Sequence, residues 1–149
     1  MTRLDLTTSI DMPHPPEVAF TYLVEPRNRP EWQASLVSVK LDDRDARPAV
    51  GMTWRDTMII GFKPAMEITE LVPYRVFAER GRWGGIEGLL VLRFVATPTG
   101  CRINAEGRVE GSGPLAAAAL RAAGLVASRS IRSDLQRASR ILTDRGVRL

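Results

Sequence analysis

The sequence predicts an α+β protein: a curved seven-stranded antiparallel sheet with two short helices and one long C-terminal helix packed on the concave face. Three observations predict it. Between residues 3 and 110 the apolar side chains recur mostly at every second position, in runs bounded by proline, glycine and charged turns. From Gly113 to Arg145 the spacing changes to three- and four-residue steps, the period of a helix. The chain has 149 residues and no repeat, low-complexity tract or dividing linker, so it reads as one domain, 1–149.

The elements follow in order. Leu4, Leu6, Thr8, Ile10 and Met12 alternate and define a half-buried first strand, ended by Pro13-His14-Pro15-Pro16. Pro16 and Glu17 open a short helix through Val18, Ala19, Tyr22 and Leu23, and Pro26 stops it. Arg27 to Trp32 is a second short helix or turn, starting at Asn28 or Arg29. Val37, Val39 and Leu41 make the second strand, Asp42 to Pro48 a charged turn, and Met52, Trp54, Asp56, Met58 and Ile60 the third strand. Gly61-Phe62-Lys63-Pro64 turns the chain into a fourth strand, residues 65–72, which Pro73 breaks. The fifth strand spans 75–80, a flexible glycine loop 81–85, the sixth strand 86–97, and the seventh strand 101–110, with Cys101, Ile103, Ala105 and Val109 on one face.

The closing helix is expected to run unbroken from Gly113 to Arg145. Pro114 suits a first helical position, where its missing N–H costs nothing, and Gly146 suits a left-handed C-terminal cap. Leu120, Gly124, Ala127, Ile131, Leu135, Ala138 and Leu142 form its core stripe, and Arg129, Arg132, Gln136, Arg137 and Arg140 lie opposite. Its first half, Leu115 to Ala127, carries only Arg121 as a charge. A segment so evenly apolar is either a core helix, a cavity wall or a homodimer contact, and it is too short to span a bilayer as a helix. A twisted sheet of this size curls, and a long helix seldom meshes fully with it, so a cavity between them is the natural remainder.

Composition narrows the chemistry. The single cysteine, Cys101, excludes an internal disulfide and fits a reducing, cytoplasmic compartment, and residues 1–12 alternate without the apolar run of a signal peptide. Nearly all the positive charge is arginine, with only Lys40 and Lys63 as lysines, and no aromatic residues interleave the helix arginines as a single-strand nucleic-acid surface requires. One histidine and one cysteine do not make a zinc site, so neither metal nor other cofactor is expected. His14, held between two prolines, is expected to be a surface turn residue, and Cys101, alternating with apolar neighbours, a buried core thiol. Neither glycine cluster, 81–85 or 111–113, matches a phosphate-binding pattern.

The order of elements and the local sequence resemble the START-like (SRPBCC) superfamily. Its helix-grip fold is shared by plant pathogenesis-related allergens, lipid-transfer START domains and bacterial polyketide cyclases. The residues that carry the resemblance are Pro16-Glu17-Val18-Ala19-Phe20 with Tyr22-Leu23, then Pro26, Pro30-Glu31-Trp32, Val50-Gly51-Met52-Thr53-Trp54, and Glu67-Ile68-Thr69-Glu70-Leu71-Val72-Pro73. Arg93-Phe94, Thr99-Gly100 and the closing helix complete it, over essentially the whole chain. The resemblance implies a cavity for an apolar or amphipathic small molecule. It implies no single reaction and carries no catalytic residue onto this chain, because function resides in the site rather than the fold.

The cavity lining is expected among Trp32, Trp54, Asp56, Met58, Met66, Phe62, Trp83, Leu115, Leu120 and Ile131. Trp32 and Trp54 either line it or fill the core. Asp56 shares a strand face with Trp54 and Met58. Pointing inward, it would be a general acid or base, or the polar anchor of a ligand; a bulge would turn it out to solvent. Glu87, Arg93 and Arg102 alternate onto the outer face. Hairpins of a meander alternate between its two ends, which gathers Phe62, Trp83 and Leu115 at one end as an apolar mouth. The leading expectation is a cytoplasmic binder or carrier of a hydrophobic small molecule such as a lipid, quinone or polyketide-like compound. The alternatives are a polyketide cyclase or aromatase using the same cavity, and a protein-interaction module using the C-terminal helix.

Overall fold

The computed structural model describes residues 1–124 and 127–146. Seven strands form one antiparallel sheet: β1 (Thr2–Met12), β2 (Leu36–Leu41), β3 (Thr53–Met58), β4 (Ala65–Val72), β5 (Val76–Trp83), β6 (Ile86–Thr97) and β7 (Gly100–Gly111). Their spatial order is β1-β7-β6-β5-β4-β3-β2, so β2 to β7 are a meander and β1 closes on the last strand. β1 and β7 pair along their length, from Thr2 opposite Gly111 to Met12 opposite Cys101. Bulges between Leu36 and Ser38 and between Ile68 and Glu70 bend the β2–β5 side.

The helices are α1 (Pro16–Leu23), α2 (Arg29–Trp32), α3 (Pro114–Gly124) and α4 (Ala127–Asp144), with a 3-10 turn at Pro26–Asn28. Gly113 precedes α3 at φ 92°, and its carbonyl accepts from Ala117 N–H. Gly146 takes the left-handed conformation, φ 60°, beyond α4. The unbroken helix expected over 113–145 includes Leu125 and Val126, which lie outside the described residues, as does the burial of Gly124. Within α4, Leu135, Ala138 and Leu142 are buried and Ile131 packs against the same core.

Two strand ends differ from the sequence expectation by two residues or more. β3 stops at Met58 rather than Ile60, because Met58 N–H donates to Phe62 O and Ile59 N–H to Ser35 O, which takes the chain out of the ladder. β5 instead continues through Gly81-Arg82-Trp83, which pair with Gly88, Glu87 and Ile86. The expected loop 81–85 is therefore only the Gly84-Gly85 turn, with Gly84 at φ 56°.

Packing divides the concave face in two. Toward one end, Phe77, Leu92, Phe94, Cys101, Ile103, Met12 and the buried residues of α1 and α4 fill the space as a continuous core. His14 belongs to this half. Expected at the surface, it is buried, with Nε2 3.1 Å from both Ser139 O and Thr143 Oγ1, because the last turns of α4 lie over the end of β1. Gly100 faces the same junction: a Cβ there would lie 1.9 Å from Met12 O and 2.7 Å from His14 N. Both neighbours are backbone and cannot rotate away. Gly100→Ala is expected to destabilise the fold by roughly 3 kcal/mol in a denaturant titration, the upper range for overpacking; a loss within about 0.5 kcal/mol, the usual range for surface changes, would show that the strand ends part freely.

Candidate functional site

Toward the other end the inner face of the sheet is hollow. Gly81 of β5, Gly88 of β6 and Gly107 of β7 fall on inward positions of its wall, where a strand ordinarily projects a side chain; Met66 and Leu6 lean toward Gly81 and Gly107, and the room at Gly88 stays open. The space left is a cavity of about 680 Å³, roofed by Ala119, Leu120 and Ile131 of the C-terminal helices. That is within the range that takes drug-sized ligands. Its wall is apolar apart from Arg29, Gln33, Asp56, Glu79 and Arg108. A smaller depression of about 160 Å³ is lined largely by charged residues, among them Arg55, Glu67, Arg80 and Arg82. Glu67 and Arg80 already pair there at 2.6 Å, and its polar wall does not suit an apolar guest.

The cavity meets a buried charged cluster where it borders the solid core. Along the inner face of β5, Phe77 belongs to the core, Glu79 to the boundary, Gly81 to the cavity wall and Trp83 to the rim. Four residue steps along the strand lead from Glu79 to Trp83, a depth of about 13 Å. Arg29, at the start of α2, reaches in from the helical side. Its Nε and Nη2 donate to Asp56 Oδ1 and Oδ2 at 3.3 and 2.8 Å, and its Nη1 donates to Glu79 Oε2 at 2.6 Å. Trp54 Nε1 donates to Asp56 Oδ1 at 2.9 Å, and the guanidinium carbon lies 5.2 Å from the Trp54 ring centroid. Arg29, Asp56 and Glu79 are only 4, 2 and 6 % exposed.

Two carboxylates thus share one cation away from water. Burial pushes the Glu79 carboxyl above its ordinary range; Arg29 opposes this and Asp56 reinforces it. Burial works against the Arg29 charge, but Glu79 and Asp56 outweigh it and raise the guanidinium further. Cys101 is a fully buried core thiol, and burial pushes it up to about 11. Among the described residues no cluster of His, Cys, Asp and Glu is arranged to hold a metal.

Of the residues expected at the lining, Asp56, Met58, Phe62, Met66, Trp83, Leu120 and Ile131 border the cavity. Trp32 and Trp54 do not; both are core residues. Trp54 faces inward, but its indole is spent on Asp56. Trp32 Nε1 is buried without a hydrogen-bond partner among the described residues. Leu115 is also outside the lining, and at 86 % exposure it projects from the first turn of α3 into solvent. Asp56 is inward and buried, not turned out by a bulge. Phe62 and Trp83 meet at the rim with ring centroids 4.9 Å apart, and Trp83 remains 48 % exposed. Glu87, Arg93 and Arg102 carry their charges on the outer face, where Arg102 pairs with Asp11 and Glu87 with Arg82. Arg29 and Glu79 were not among the expected site residues. Glu79 is two residues from Phe77 and so on its face, which is a readable signal; Arg29 has none beyond its neighbours Arg27 and Pro30.

A curved antiparallel sheet closed by a C-terminal helix over an apolar cavity defines the helix-grip class of protein. Solved structures share this architecture. The chain superposes on Ara h 8.0201 with a TM-score of 0.76 and 10% identity, covering 96% of this chain and 99% of that one. The di-domain ARO/CYC StfQ from the steffimycin biosynthetic pathway gives 0.74 and 16%, covering 97% of this chain and 52% of that one. A protein from Mesorhizobium loti gives 0.69 and 20%, covering 92% and 98%. No curated protein sequence matches. Residues 3–144 match the family described as polyketide cyclase / dehydrase and lipid transport, and the chain belongs to it.

Proposed function

We propose that this protein binds or carries a hydrophobic small molecule in the cavity between the sheet and the C-terminal helices. One observation carries the reading: the hollow half of the concave face is apolar over most of its wall, and three of its five polar residues, Arg29, Asp56 and Glu79, meet in one buried cluster. That is the layout of a site that takes an apolar body and orients it by one polar terminus. The family's description, which includes lipid transport, supports it. Native mass spectrometry of freshly purified protein, together with titration by the neutral fluorophore N-phenylnaphthylamine, tests it. The expected result is a non-covalent adduct that denaturing conditions release, or, in protein stripped of it, saturable fluorophore binding. Bare protein that takes up no fluorophore would overturn the reading.

The second reading is a cyclase or dehydrase acting on a polyketide-like substrate in the same cavity. The buried Arg29–Asp56–Glu79 cluster favours it, because an acid held in an apolar site is suited to moving a proton. Both oxygens of Asp56 are occupied by Arg29 and Trp54, so Asp56 serves here to hold Arg29 in place, and Glu79 is the group with capacity to spare.

A further inference from the structure

We propose that Glu79 is the specificity-determining donor of this cavity, an O–H that takes a carbonyl oxygen of an otherwise apolar ligand. The proposal rests on the cavity reading above and adds the chemical class of the occupant, a neutral molecule ending in a ketone or quinone oxygen.

The argument begins with counting donors and acceptors. Arg29 directs three N–H groups at the two carboxylates. Asp56 uses both oxygens, one of them twice. Glu79 uses only Oε2, and Oε1 has no partner among the described residues. The Arg29–Asp56 pair is already neutral, so an ionised Glu79 would leave an uncompensated negative charge beside it, flanked on the neighbouring strands by Ile68 and Leu90. A buried carboxyl in that position relieves the charge by holding a proton. The direction of its titration agrees.

Geometry then places that proton. Oε2 accepts from Arg29 Nη1 at 2.6 Å, so it acts as the carbonyl oxygen of the acid, and the hydrogen sits on Oε1. Glu79 lines the cavity, at the inner end of a wall that is otherwise largely apolar. An unpaired donor in such surroundings discriminates strongly, because a ligand without an acceptor leaves it unsatisfied. The charged groups facing Glu79 are Arg29 from α2 and Asp56 from β3; Arg108 of β7, elsewhere in the wall, is engaged by Asp5 at 3.1 Å.

The test uses two probes of nearly equal shape, acetylnaphthalene, which carries a ketone, and ethylnaphthalene, which does not. Each is titrated into the stripped protein, and the carbon NMR shift of the bound ketone carbonyl is recorded. The ketone is expected to bind at least about tenfold more tightly, the discrimination of a donor left unpaired by the wrong ligand, with its carbonyl shifted downfield. Glu79→Leu should equalise the probes and abolish the shift. Glu79→Gln should retain most of the preference, because the amide N–H still donates. The wild-type preference should be present at acid pH and fade as pH rises through the titration of Glu79, while Glu79→Gln stays flat. Equal binding of both probes by the wild type, or a preference that survives in Glu79→Leu, would overturn the role of Glu79 and leave the cavity reading standing. Failure of both probes to bind the folded protein would remove the cavity reading and this proposal together.

Discussion

Arg29→Met is expected to cost about 3–5 kcal/mol of folding stability at neutral pH, the range for removing one partner of a buried ion pair. The methionine nearly fills the volume of the arginine stem, so little of the loss comes from a void. It comes from Asp56, 2 % exposed, which loses the only cation within 4.0 Å of it among the described residues, and from Glu79, 6 % exposed, whose carboxyl loses its charged donor. Two predictions about the loss separate this cause from packing. The carboxyls of the variant can shed the electrostatic cost by taking up protons, so the loss should shrink as pH falls toward the acid range. Adding Asp56→Asn and Glu79→Gln to Arg29→Met should restore most of the stability, since a cluster without charge has no charge to compensate. Urea titrations of the variants at two pH values check both. A loss below about 1 kcal/mol, the value of a surface pair, would show that the cluster is wetter than its burial implies.

Gly88→Leu is expected to have the largest effect on binding. A Cβ at this position meets nothing closer than Val109 Cγ2 at 3.9 Å and Arg108 O at 4.0 Å, so a side chain fits without moving the backbone. It would project into the cavity that Gly88 lines. Affinity for N-phenylnaphthylamine should fall by at least about tenfold, on the order of the 1.4 kcal/mol that a modest steric clash exceeds. Stability should hold or rise by up to about 1 kcal/mol, because glycine is a poor strand residue. Lost binding with stability retained distinguishes an occupied cavity from a general weakening of the fold. Unchanged affinity would mean that the fluorophore sits elsewhere.

The sheet was legible because strand periodicity is a local signal. Ala65–Val72 could be read to the residue, since Pro64 and Pro73 bracket an alternating run. Trp83 was misplaced in a loop because glycines at 81, 84 and 85 look alike in sequence; only the partner strand shows that Gly81 is in the ladder and Gly84 in the turn. His14 illustrates the same limit at longer range. Its neighbouring prolines predict a surface turn, and its burial depends on Ser139 and Thr143, more than a hundred residues away. Asp56 was picked out by the apolar company on its strand. Arg29 escaped because a short helix between prolines gives no period, and nothing local distinguishes it from Arg27, which faces outward and pairs with Glu25. Part of the cavity is room left open by the absent side chain of Gly88, and a glycine at an inward strand position reads in sequence as a weak strand or a turn.

The closure of the sheet by its first strand has a consequence for the order of events during synthesis. The hairpins of the meander form between neighbours in sequence, but each residue of β1 is matched to one roughly 90–110 positions later. At a ribosome adding about 5–20 residues per second, β1 waits on the order of five to twenty seconds for β7 to be made. Through that interval it is an alternating, unpaired strand with a free edge, the kind of segment that invites wrong pairing. The C-terminal helices cannot settle before it does, since Arg132 of α4 anchors to the carbonyl of Ser9 in β1. The first and last strands therefore come into register last, and the cavity is completed only once the C-terminal helices that roof it have been made.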